Sequence, residues 1–82
     1  MRTRFSMESF GRNVRRMRLR RGLSQKELAA AAGCSRVYVS EIEKGHRNPS
    51  LEVGMELARA LGVSLGHLIS DPDEGMKCPS VM

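Results

Sequence analysis

Gly22, Gly33, Gly45 and Gly62 cut this chain into short pieces, and a serine follows each within a few residues: Ser24, Ser35, Ser50 and Ser64. Glycine is favoured just past a helix end, and serine just before a helix start. The pairs therefore read as stop and start signals, and apolar residues between them recur at helical rather than strand spacing. A chain of 82 residues has room for one domain. The expectation is an all-α, compact five-helix domain over residues 7–70. A flexible basic arm, 1–6, precedes it, and an aperiodic tail, 71–82, is expected to be mobile.

Each helix can be outlined in turn. The first spans Met7 to Arg21 with Ser6 as its cap, and Phe10, Val14 and Met17 form its inward stripe. Ser24 with Glu27 three residues on is a capping box that starts the second helix. Leu28, Ala29 and Ala32 face inward, and Gly33 ends it with a residue that tolerates positive φ. Ser35 caps the third helix, anchored by Val39 and Ile42 and ended by Gly45. Ser50 caps a fourth, through Leu61, whose apolar face is Leu51, Leu57, Ala58 and Leu61. Ser64 opens a short fifth, "SLGHLIS".

Charge divides the chain. Residues 1–26 hold nine basic residues against Glu8 alone, a net of +8, whereas residues 27–82 carry a net of −3. Such asymmetry points to a polyanion on one side of the molecule. No run of 18 apolar residues exists, so no membrane span is expected, and the start lacks a secretory h-region. These features read as a cytoplasmic protein. Cys34, Cys78, His46 and His67 are isolated and lack metal-ligand spacing. No set of nucleophile and base, paired carboxylates or phosphate-cradling glycine loop can be assembled, so neither an enzyme nor a cofactor is expected.

Between Gln25 and Lys44 the chain reads helix, tight turn, helix. Ala29 is small where two helices cross, Gly33 stands in the turn, and Val39 and Ile42 seat the second helix on the first. This is a helix-turn-helix, in which the second helix enters the DNA major groove. The mixed outer face of "GCSRVYVSEIEKG" then has a purpose, which is to read DNA.

The stretch "GLSQKELAAAAGCSRVYVSEIEKGHRNPSLE" resembles the phage repressor and Cro-type (XRE-like) helix-turn-helix family, and the likeness spans roughly residues 10–70. Gln25, Leu28, Ala29, Gly33, Val39, Ile42, Glu43, Gly45 and Pro49 match residues that this family keeps. "SRVYVSEIEKGHRNPSL" is similar to controller proteins of restriction–modification systems, which are small dimeric regulators. The resemblance implies that Arg36, Val37 and Glu41 reach base edges and that Gln25 binds a phosphate. It implies that Tyr38 touches the sugar–phosphate backbone, and that Arg18 and Glu43 form a partly buried ion pair. Gly54 departs from the pattern, standing where the family usually has leucine or isoleucine. It leaves a gap that Met55, Phe5 or Met7 can fill.

The chemistry of these side chains suits the roles. The Arg36 guanidinium can bond O6 and N7 of a guanine, and Val37 can meet a thymine methyl. Glu41 can accept from a cytosine amino group, hold Arg36 as its i, i+5 neighbour, or repel phosphate and reject wrong registers. Ser35, Tyr38, Lys44, His46 and Arg47, with Gln25, are expected on the DNA backbone, where contacts set position rather than sequence. Val63, Leu65, Leu68 and Ile69 are more apolar than so short a helix needs, and are the expected homodimer surface. The functional expectation is a transcriptional regulator binding a palindromic double-stranded operator as a dimer. The alternative is an antitoxin that binds a toxin and its own promoter. RNA binding is disfavoured by the scarcity of stacking aromatics, which are Phe5, Phe10 and Tyr38.

Overall fold

The computed structural model describes residues 7–69. They form α1 (Met7–Arg20), α2 (Gln25–Ala32), α3 (Arg36–Glu43), α4 (Leu51–Leu61) and α5 (Leu65–Ile69), with no strand among the described residues. The expected all-α five-helix architecture is found. The arm, the tail, the Ser6 cap, Phe5 and Cys78 lie outside the described residues.

Local signals set the helix ends. Glu27 N–H donates to Ser24 Oγ at 2.9 Å, and Ser24 N–H donates back to Glu27 Oε1 at 2.8 Å, closing the capping box. At the other end of α2, Gly33 has φ 76°, and Cys34 N–H reaches back to the Ala29 carbonyl at 2.9 Å. That left-handed step, which costs glycine little, turns the chain sharply enough to lay α3 across α2. Ser35 and Ser50 cap α3 and α4 by accepting from Tyr38 N–H and Val53 N–H.

One core joins all five helices: Phe10 and Val14 of α1, Leu28 of α2, Val39 and Ile42 of α3, Leu57 and Leu61 of α4, and Leu68 of α5. Ala29, Ala32 and Ala58 fill its narrower places, and α2 packs on both α3 and α4. Met17, expected inside, is half-buried. A tight backbone approach involves Gly11, where a Cβ would collide with the Ile42 carbonyl oxygen and lie 3.0 Å from that of Glu43. Alpha1 and the end of α3 therefore touch backbone to backbone, a constraint that apolar periodicity does not announce.

Three expectations need correction. Leu51, assigned to the inward face of α4, is 70% exposed. It is the first residue of the helix, and the core face of α4 is held by Gly54, Leu57, Ala58 and Leu61. Leu68, assigned to the dimer surface, is fully buried. Asn13, itself buried, donates from Nδ2 to the Leu68 carbonyl at 2.7 Å. This bond ties the short α5 to α1, and Leu68 is the residue of α5 that reaches the core. Nor is the gap at Gly54 filled by Met55 or Met7, since both are exposed.

Candidate nucleic-acid interface

The outer face of α3 follows from what its inner face must do. Val39 and Ile42 are fully buried against α1 and α2, which fixes the rotation of the helix about its axis. At 100° per residue, Val37, Ser40, Glu41 and Lys44 then share the opposite side, with Arg36 at its edge. Arg36 is exposed and Val37 is 55% exposed. Ser40, which the sequence placed on the mixed outer face without a role, lies one turn beyond Arg36 at i, i+4 spacing.

The angle of α3 is set by a buried polar cluster. Arg18 Nε donates to Glu43 Oε2 at 2.7 Å, and Arg18 Nη2 donates to Glu43 Oε1 at 3.0 Å. The two side chains are 10% and 4% exposed. Arg18 Nη1 also donates to the Leu23 carbonyl at 2.9 Å. Its hydrogen bonds to Glu43, helped by the carboxylate charge, raise the Arg18 pKa against the opposing effect of burial. Gln25 joins the cluster, its Nε2 donating to Glu43 Oε1 at 3.0 Å. The side chain expected on a phosphate is thus oriented by Glu43, and the second amide N–H is left for an outside acceptor.

Glu41 takes a different partner from the one considered above. Arg47 Nε donates to Glu41 Oε1 at 3.0 Å. Residues five apart on a helix diverge by about 140°, which carries the Arg36 side chain away from Glu41. Arg47 also lies over the Tyr38 ring, 5.0 Å from its centroid, so a stacked cation and a carboxylate together hold this guanidinium. Lys44 and His46 are exposed beside it in the segment after α3. Ser35 is exposed at the start of α3, and its hydroxyl keeps its own proton for donation.

Positive charge extends beyond α3. Arg12, Arg15, Arg16 and Arg20 are exposed along α1, with Arg16 Nη2 donating to Asn13 Oδ1 at 3.2 Å. Arg21 has a local task, because its guanidinium occupies the space against Gly62 at the C-terminal end of α4. A cation is favourable at that negative end of the helix dipole. Among the described residues no group of three or more His, Cys, Asp or Glu is placed to hold a metal ion. Cys34 is a half-buried free thiol whose pKa is raised by burial. No helix among the described residues is long and apolar enough to cross a membrane.

A short helix held outward by its buried neighbour, with polar and cationic side chains at its start and just past its end, defines a class of protein. The chain belongs to the helix-turn-helix family, whose profile matches residues 14–68. It is 45% identical over 64 residues to the uncharacterized HTH-type transcriptional regulator y4dJ of Sinorhizobium fredii, covering 78% of this chain and 83% of that one. The restriction–modification controller protein C.AhdI of Aeromonas hydrophila superposes with a TM-score of 0.74 at 40% identity, covering 76% and 94%. The biofilm regulator SinR, solved in complex with DNA, superposes with a TM-score of 0.71 at 32% identity, covering 74% and 98%. Phage repressors and restriction–modification controller proteins are both among its relatives.

Proposed function

We propose that this protein is a transcriptional regulator that reads the major groove of a palindromic operator with α3, working as a homodimer. The observation that carries the reading is the division of α3 itself. Its inner residues are fully buried, while Arg36 and Val37 stand exposed at its first turn, unused by the fold. The N-terminal end of a recognition helix reaches deepest into the groove. Arg36 bonds a guanine edge, Val37 packs on a thymine methyl, and Glu41 keeps Arg47 aimed while repelling misplaced phosphates. Gln25, Ser35, Tyr38, Lys44, His46 and Arg47 fix the register on the sugar–phosphate backbone.

Dimerisation supplies what one module lacks. A single small module covers only about 600–1,000 Å² of protein surface on DNA. Two joined about a twofold axis read half-sites roughly 10 base pairs apart. The half-buried Val63 and Leu65 and the exposed Ile69 support a contact near α5. Selection of bound sites from a random double-stranded DNA pool tests the whole reading. Recovery of an inverted repeat with about that spacing is the expected result. Enrichment of no sequence at all would refute it.

A further inference from the structure

Gly54 opens a hollow of about 220 Å³, walled by Phe10, Leu65 and Ile69, with Pro49, Ser50 and Leu51 at its rim. A Cβ at Gly54 would lie 3.5 Å from Leu65 Cδ1 and 4.0 Å from Phe10 Cζ, both ordinary contacts. The glycine is therefore not forced by crowding; a side chain is missing where one would fit. The walls are almost entirely carbon, and Ser50 Oγ is turned to the Val53 N–H of its own cap. Water in such a space finds few partners. Two of its lining residues are themselves exposed, Leu51 at 70% and Ile69 at 37%, and Met55, next to Gly54 in the chain, is 54% exposed.

Knob and hole lie side by side on one helix. Leu51 and Gly54 are three residues apart, so they lie about one turn apart on α4, Gly54 buried in the wall of the hollow and Leu51 exposed beside it. Two copies of α4 crossing about a twofold axis bring the knob of each over the hole of the other, and an isologous contact requires that self-complementarity. We propose that the Gly54 hollow is a socket for Leu51 of the partner subunit, sealed at its edge by Ile69. Size agrees: a cavity of about 150 Å³ admits a benzene molecule, and an isobutyl group is smaller. The inference rests on the dimer reading above and moves the centre of the contact from α5 to the start of α4.

The test uses sedimentation equilibrium on wild type, Gly54→Leu and Leu51→Ala, with thermal melts at concentrations too low for dimers. Gly54→Leu fills the hollow from within and removes a helical glycine, so the monomer should melt higher while the dimer weakens roughly tenfold or more. Leu51→Ala should weaken the dimer similarly and leave the monomer melt nearly unchanged. The double variant should dimerise no worse than Gly54→Leu alone, because knob and hole act as one contact. A wild-type dimer unaffected by both single substitutions would overturn the socket and leave the dimer reading standing. A wild-type monomer, free and on DNA, would overturn both. A lower melt for Gly54→Leu with unchanged dimerisation would also overturn it, since the hollow would then not lie where two subunits meet. Should Gly54→Leu not fold, Leu51→Ala and Leu51→Lys decide the matter by the same criterion.

Discussion

Replacing Glu43 with alanine removes the acceptor at the centre of the Arg18–Gln25 cluster, and the size of the effect can be worked from its geometry. Arg18 loses both hydrogen bonds to a carboxylate, at 2.7 and 3.0 Å, and keeps only the Leu23 carbonyl. Its side chain is 10% exposed, so water cannot readily replace what was lost. Gln25 loses its partner as well. Breaking a buried pair by removing one member costs about 3–5 kcal/mol, because the remaining charge is uncompensated. At ~4–8 °C per kcal/mol for a domain of this size, the melting temperature should fall by at least roughly 12 °C. Glu41→Ala is the control. Its pair with Arg47 is 40% and 52% exposed, and such surface pairs contribute about 0–1 kcal/mol. The double substitution Arg18→Met with Glu43→Leu should recover most of the loss, since an apolar pair of similar volume leaves no buried charge. Differential scanning calorimetry of the four proteins is the assay. Equal effects of Glu43→Ala and Glu41→Ala, or no recovery in the double variant, would refute the reasoning.

Other consequences are open to direct measurement. Arg36→Ala should cost about 1–3 kcal/mol of discrimination at one base pair per half-site, whereas Gln25→Ala should weaken cognate and scrambled DNA alike; titrations on both DNAs at two salt concentrations separate them. Gly11→Ala should destabilise by about 1–3 kcal/mol in urea, because the Ile42 carbonyl cannot yield without tilting α3 on α1. Asn13→Ala leaves the Leu68 carbonyl without this buried donor and should cost about 1–3 kcal/mol, with faster amide exchange in α5 than elsewhere. The raised pKa of Cys34 means that the folded state disfavours its thiolate. Its contribution to stability is therefore full below the unfolded thiol pKa and is lost as pH rises through the folded value. In a Cys78→Ser background, alkylation by iodoacetamide should be slower for folded protein than for protein in urea at the same alkaline pH.

The alternation of glycine stops and serine starts was enough to outline the helices, because capping and left-handed turns are settled by residues within a few positions of each other. The same holds for the inward placement of Phe10, Val14, Leu28, Val39 and Ile42, which helical period alone dictates, and so for the outward placement of Arg36 and Val37. Where contacts join distant segments, the chain's own pattern was silent. No periodicity shows that Gly11 must be small for α3 to approach, or that Asn13 will pin Leu68 inward. Glu41 had Arg36 and Arg47 at comparable sequence distance, and only the turn at Gly45 brings Arg47 back across the end of α3 to meet it. Leu51 and Leu57 look alike as letters. The packing of α4 on α2 and α5 buries one and exposes the other, because a helix start has fewer neighbours to cover it than a helix centre.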